Sequence, residues 1–149
     1  MCSSDLGEHA VTVTDSTFVG NDSPYQGGAI GLSGDLTVRY STFVDNSSDA
    51  NGEAIATWDT TTTVSFDHAL IVGTGPGCEF SPGNTVVDAG GSVETGTSCS
   101  FTGTGSMSSA SRASLKLASG LASNGAPAGR PQTIALGAGS AAIDTDSSA

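Results

Sequence analysis

The side chains best suited to acid–base chemistry in this chain are two histidines and a scatter of aspartates. Asp67 directly precedes His68, and a carboxylate beside an imidazole is one arrangement that moves protons in active sites. The other histidine, His9, stands near the start of the chain. An imidazole in a strand-like stretch such as that of His68 is more often an exposed or stacked surface group than a base. No catalytic residue is therefore assigned, and Asp67 and His68 are the runner-up candidates.

Paired carboxylates are the second chemical possibility. Glycoside hydrolases use two carboxylates at a defined separation, and a Ca²⁺ cluster with a nearby basic residue suits polysaccharide lyases. Two groups are predicted to share one face, one repeat apart: Asp22 with Asp45 and Asp49, and Asp15 with Asp67. Arg39 is the only basic residue among the first 111 positions. Because a lyase needs a cation beside its carboxylates, these aspartates are expected to be solvated turn residues.

The cysteines suggest a structural role. Cys78 and Cys99 are 21 positions apart, while Cys2 stands near the start. No histidine lies near Cys78 or Cys99, so a zinc site would lack ligands and a catalytic thiol would lack a base. The sequence predicts a Cys78–Cys99 disulfide, which implies an oxidising compartment.

The charge balance excludes several partners. The 149 residues carry 15 acidic and four basic side chains, a formal net charge of −11. Nucleic acid and anionic membranes would be repelled, and no apolar run reaches the ~18 residues of a membrane helix. Oxygen ligands suit Ca²⁺, but no EF-hand-type loop is present, so no metal site or cofactor is predicted and Ca²⁺ remains an alternative.

Residues 1–6 share no pattern with the rest of the chain. They resemble the translation of a sequencing-adapter tail, so they are set aside as a scar. On this interpretation the protein extends upstream, and further coils of the full-length protein are expected as packing partners.

Internal repeats are the most informative feature. Residues 13–21 match residues 38–46 at an offset of 25, and the same offset carries Ala29-Ile30 onto Ala54-Ile55. A third unit begins near Val64, at an offset of 26 from Val38. Each unit holds short β-branched or alternating stretches separated by Gly, Asn, Asp and Ser, which are strand and turn signals.

A unit of this size cannot bury its apolar face alone, so successive units must stack. The predicted fold is all-β: a right-handed parallel β-helix (solenoid) of about three coils over residues 7–75. Inward ladders are expected at Val13/Val38/Val64, Phe18/Phe43 and Ile30/Ile55. Asn21 and Asn46 recur once per coil, and such asparagines usually form a hydrogen-bonded ladder rather than a sugar site.

Residues 76–149 are expected to complete the same domain as last strands, a disulfide loop and an irregular C-terminal cap. Residues 84–87 and 99–101 are strand-like. Leu115, Leu117 and Leu121 are predicted to lie across the lower end of the core, because an uncovered solenoid end exposes unpaired strand edges.

The repeats resemble those of bacterial β-helix surface proteins, including polymorphic outer-membrane proteins. The resemblance lies in F-V-x-N followed by GGAI, at residues 18–21 and 27–30, repeated as GEAI at residues 52–55.

The tail resembles the signature that ends the β-helix of choice-of-anchor Q domain proteins. It lies at residues 124–125, 132–136 and 139–144, preceded by a cysteine pair like Cys78 and Cys99. The sequence departs from that signature at Ile134 and Ala141, where His and Pro are usual. The resemblance implies a bacterial protein that is secreted or displayed at the cell surface, with no common enzymatic activity.

Two functions follow as expectations. The first is a non-catalytic secreted or cell-surface module, adhesin-like or for structural display, with glycans or host and cell-surface components as partners. The alternative is the C-terminal fragment of a carbohydrate-active β-helix enzyme, a polysaccharide lyase or glycoside hydrolase. An enzyme is the less favoured of the two.

Overall fold

The computed structural model describes residues 2–4, 10–125 and 127–143. Nearly all of its regular structure is parallel β-sheet, and its one helical turn is α1 (Arg112–Leu115). The strands stack into a solenoid of about three coils, so the predicted parallel β-helix is confirmed. Among the described residues, no helix is long and apolar enough to span a bilayer.

Three four-stranded parallel sheets form the walls of the solenoid. Sheet A contains β1 (Cys2–Ser4), β5 (Ile30–Leu32), β9 (Ile55–Thr57) and β12 (Cys78–Phe80). Sheet B contains β2 (Val11–Thr14), β6 (Leu36–Arg39), β10 (Thr63–Asp67) and β13 (Thr85–Asp88). Sheet C contains β3 (Thr17–Val19), β7 (Thr42–Val44), β11 (Leu70–Val72) and β14 (Val93–Glu94). A shorter pair joins β4 (Asp22–Ser23) to β8 (Ser47–Ser48).

The first two coils stack in the predicted register. Val13 lies opposite Val38, Phe18 opposite Phe43, and Ile30 opposite Ile55. The two phenylalanine rings are parallel within 3°, with centroids 4.8 Å apart, which is the spacing between neighbouring strands. All six side chains belong to the core or pack against it, as predicted.

The third coil differs from the expected register. Val64 lies opposite Leu36, and Phe66 is the residue opposite Val38, so the offset is 28 rather than 26. The turn between sheets A and B is three residues longer in this coil: Leu36 follows Ile30 by six positions, whereas Val64 follows Ile55 by nine. Because the error is two residues, Val64 still points inward, where it is fully buried.

The GGAI turn explains one deviation between repeats. A side chain at Gly28 would collide with the backbone carbonyls of Ser47 and Glu53, so only glycine fits there. One coil lower the position is Glu53, whose carboxylate accepts a hydrogen bond from the Thr74 backbone N–H at 3.2 Å. The glycine is therefore replaced by glutamate in the coil where the next turn offers a hydrogen-bond donor to the side chain.

The C-terminal strap, the described residues 110–143, packs beside the solenoid rather than across its end. Leu115 is fully buried in a second apolar cluster with Val44, Val72 and Val93 of sheet C. Leu117 is partly buried against this cluster, and Leu121 is 45% exposed. The predicted placement of these leucines across the core is wrong because sheet C is apolar on both faces and needs a cover outside as well as inside.

The loop after β14 covers the lower end of the core instead. Phe101 packs edge-on against Phe66 with ring centroids 5.0 Å apart. Residues 99–101 form no strand, contrary to expectation, whereas the strand predicted at residues 84–87 is present as β13. The Phe101 ring therefore covers the lower end of the core.

Cys2–Ser4 pairs in parallel with Ile30–Leu32 and extends sheet A upward. This part of the segment set aside as a scar therefore takes part in the sheet. His9 lies outside the described residues.

Candidate functional site

The three walls of the solenoid differ in how much of their outer face is open. Turn residues fold back over sheet A, where the Trp58 indole lies against Gly31 and Ala56 is fully buried. The strap covers sheet C. Sheet B keeps an outer face lined by Thr12, Thr37, Ser65 and Val87, which are half-buried or exposed.

The edge between sheets B and C carries a column of residues in left-handed backbone conformation. Asp15, Tyr40, His68 and Gly91 occupy equivalent places in successive coils, with φ of 49°, 46°, 53° and 64°. Non-glycine residues rarely adopt such angles. The turn therefore bends the chain sharply after each strand of sheet B, and we call this column, with Arg39 and Asp67 beside it, the B–C corner.

The candidate pair Asp67 and His68 meets at this corner. Nδ1 of His68 lies 2.7 Å from Oδ1 of Asp67. Because an ionised carboxylate only accepts hydrogen bonds, Nδ1 is assigned the proton. A β-carbon added at Gly91 would lie 2.6 Å from Cδ2 of His68, so the imidazole packs against the Gly91 backbone. Carboxylate and glycine together hold the imidazole in place.

Arg39 and Tyr40 complete the corner from the coil above. Nε of Arg39 lies 3.8 Å from Oδ2 of Asp67, and the Tyr40 ring lies over the His68 ring at a centroid distance of 5.3 Å and an angle of 31°. Tyr40 is 56% exposed. The corner thus offers an aromatic ring, a guanidinium and a carboxylate to solvent on one edge, close to the open face of sheet B.

The structure does not bring the predicted pair Asp15 and Asp67 together. Asp67 lies opposite Arg39, which lies opposite Thr14, so Asp15 and Asp67 are two coils apart and in different columns. Asp22 lies opposite Ser47 and accepts a hydrogen bond from its hydroxyl at 2.5 Å.

Asp45 and Asp49 stand two positions before and two positions after Ser47, the residue opposite Asp22, and all three aspartates are exposed. The carboxylate of Asp45 forms a two-pronged ion pair with Arg112 of the strap, at 2.5 and 2.6 Å. Asp49 is exposed, and its backbone N–H donates to the Ser23 carbonyl.

The asparagines Asn21 and Asn46 are hydrogen-bonded to each other. Nδ2 of Asn21 donates to Oδ1 of Asn46 at 2.8 Å, and Nδ2 of Asn46 donates to the Phe18 carbonyl at 3.1 Å. Asn46 is 4% exposed. The amides therefore satisfy backbone groups inside the turn, and they are poorly placed to meet a ligand.

The predicted disulfide is confirmed. Cys78 and Cys99 are bonded, with their Cα atoms 4.9 Å apart, and both are buried. The bond ties the last strand of sheet A to the loop that carries Phe101. It thus fastens the cover on the lower end of the core.

Glu94 is a buried carboxylate that sequence reasoning missed. It lies in the inward-facing row of sheet C, below Phe18, Phe43 and Ile71. Its carboxylate oxygens accept hydrogen bonds from the Cys99 N–H and the Ser108 hydroxyl. Burial raises the pKa of Glu94, although these hydrogen bonds act in the opposite direction. The repeat of 25 did not point to this residue, because Glu94 follows Ile71 by 23 positions in the observed register.

A cavity of about 350 Å³ lies between the upper part of sheet C and the strap. Its walls include Val19, Val44, Leu117 and Ile134, with the Asp45–Arg112 ion pair and Lys116. The Lys116 ammonium group donates to the Ala138 carbonyl. The cations near this cavity are thus already partnered.

No three His, Cys, Asp or Glu side chains are grouped to hold a metal ion in the part of the chain that the structure describes. Fold and disulfide together define a disulfide-bonded parallel β-helix protein. Comparison with protein-family models, curated proteins and solved structures found no match to the chain.

Proposed function

We propose that this chain is a non-catalytic module of a secreted or cell-surface bacterial β-helix protein, adhesin-like or for display, that contacts glycans on cell surfaces. The observation that carries the proposal is the uneven covering of the solenoid: sheet B alone among the three described walls keeps an open outer face. A stack of parallel strands is stiff and regular, so it presents that face as a preformed surface.

The chemistry of this face suits neutral, hydroxyl-rich ligands. Thr12, Thr37 and Ser65 lie side by side in one rank across sheet B. Hydroxyls both donate and accept hydrogen bonds, so they pair with sugar hydroxyls that act as donors and with those that act as acceptors. The disulfide supports an extracellular location, because such bonds persist in oxidising compartments. The resemblance of the tail to choice-of-anchor Q proteins supports the same location.

The proposal is tested by binding of the purified chain to a panel of immobilised polysaccharides. Thr37→Gln adds bulk without charge in the middle of the open face, and it should weaken binding at least about fivefold if contacts there contribute as typical interface residues do. Thr102→Gln makes the same change in an exposed loop residue of the lower end and serves as the control. Absence of binding by the unmodified chain to every polysaccharide would refute the proposal.

The alternative function, a carbohydrate-active enzyme, is favoured by one observation. Asp67 and His68 are joined as in acid–base pairs that move protons. Reducing-end and unsaturated-product assays on the same panel test it. If the chain turns over a polysaccharide and Asp67→Ala or His68→Ala abolishes that activity, the enzyme function takes the place of the binding function.

A further inference from the structure

The B–C corner gathers groups that the fold does not need on its surface. Tyr40 exposes more than half of its area, and the Arg39 side chain is 56% exposed. An aromatic ring left in water forgoes the stabilisation that burial would provide. Exposed aromatic residues beside polar groups are typical of contact surfaces, because such rings offer one apolar face and polar neighbours.

The corner is also held in one arrangement before any ligand arrives. Asp67 is fixed between His68 and Arg39, and His68 packs between the Tyr40 ring and the Gly91 backbone. Tyr40 and His68 keep left-handed backbone angles that cost on the order of 1 kcal/mol each. Such preorganisation lowers the entropy lost on binding.

A sugar ring matches these groups. One face of a pyranose is formed by C–H groups and packs against an aromatic ring, while adjacent hydroxyls around its edge both donate and accept hydrogen bonds. A carboxylate accepts from one hydroxyl and a guanidinium donates to its neighbour. Hydrogen bonds to charged groups are the stronger ones.

The charge of the protein selects among sugars. With a formal net charge of −11, the chain repels polyanionic glycans at long range. Asp15 occupies the equivalent corner position one coil above Tyr40 and adds a further carboxylate there. A carboxylated sugar would therefore meet an unfavourable field at this corner.

Resting on the proposed function, we infer that the B–C corner is a subsite for one sugar unit of a neutral glycan. The sugar lies against Tyr40, and two adjacent hydroxyls bind the Asp67 carboxylate and the Arg39 guanidinium. His68 is a positioning residue that keeps the carboxylate and the tyrosine ring in place.

Calorimetric titration of the full chain tests the subsite, using neutral hexasaccharides of glucose, mannose and N-acetylglucosamine and, as the charged arm, oligogalacturonate. Tyr40→Ala should weaken binding of the neutral ligand at least about tenfold, whereas Tyr40→Phe should leave it within about twofold. Asp67→Asn should weaken it about fivefold, because a charged acceptor is lost. Tyr25→Ala is the control: this tyrosine is 69% exposed and lies outside the corner.

The outcomes separate the two proposals. If the unmodified chain binds a neutral glycan and Tyr40→Ala and Asp67→Asn bind it equally well, the subsite is overturned while the proposed function stands. Preference for oligogalacturonate, or equal loss with Tyr25→Ala and Tyr40→Ala, also overturns the subsite. If the unmodified chain binds no glycan at all, the proposed function fails. Thermal unfolding of each variant checks that the fold is intact.

Discussion

Sheets B and C are built from the same number of stacked parallel strands, yet their outer faces lie in opposite environments. In sheet B the outward rank carries hydroxyls at Thr12, Thr37 and Ser65, and nothing in the described chain covers it. In sheet C the outward positions include Val44 and Val72, and the strap buries them. The inner faces of the first three strands are apolar in both sheets, so the outward residues decide which wall receives a cover and which stays available for contacts.

Removing the cover from sheet C should have the largest effect. Leu115→Ala deletes a fully buried side chain at the centre of the strap cluster and should lower the free energy of unfolding by about 4 kcal/mol. Ser65→Ala, on the outer face of sheet B, should change it by less than about 0.5 kcal/mol. Urea unfolding measures both. Similar values for the two variants would mean that the walls do not differ in this way.

The disulfide fastens the end that both sheets share. Replacing Cys78 and Cys99 together by alanine should lower the free energy of unfolding by about 3 kcal/mol, the chain-entropy effect for a loop of this length. The unmodified chain, unfolded with and without reductant, provides the matched comparison. An unchanged urea midpoint in the double variant would contradict a fastening role.

Glu94 should make the stability of the protein depend on pH, because it is a carboxylate in the inward-facing row of sheet C. Its pKa is raised in the folded protein, so the folded state binds its proton more tightly than the unfolded chain. The stabilisation from this proton is complete below the ordinary glutamate pKa and is lost as the pH rises through the folded pKa.

Glu94→Gln keeps the shape of the side chain and removes this titration. The variant should gain stability relative to the unmodified chain as the pH rises from 4 to 7, because the unmodified chain loses the stabilisation from this proton over that range. Urea unfolding at both pH values gives this difference, in which the titration of the other carboxylates cancels. A stability difference that is the same at the two pH values would count against the assignment.

The ion pair between sheet C and the strap should have the smallest effect. Asp45→Asn breaks its charge pairing with Arg112, and both side chains are about half exposed. Exposed pairs contribute about 0.5 kcal/mol and are screened by salt. The loss should therefore appear in dilute buffer and disappear near 1 M NaCl. A larger, salt-independent loss would show that the pair does more than anchor the strap.

Much of the fold could be predicted from local repetition. Phe18 and Phe43 recur with identical neighbours, so their stacking followed from the offset of 25. The register of the third coil was not predicted correctly, because its longer turn has no counterpart in the first two repeats. For the site, Asp67 and His68 are adjacent in sequence and were singled out, but Arg39 and Tyr40 join them only through the offset of 28 that the longer turn creates.

The amino-acid sequence by itself determined the period, the inward rank and the pairing of Cys78 with Cys99, because these follow from short-range pattern and from the few cysteines present. Only the tertiary structure decided where the strap packs, which wall stays open and that Glu94 is buried. Each of these depends on contacts between segments far apart in the chain, such as Arg112 with Asp45, whose free energies no local pattern encodes. The sequence therefore specifies the coil, and long-range packing specifies its exposed surface.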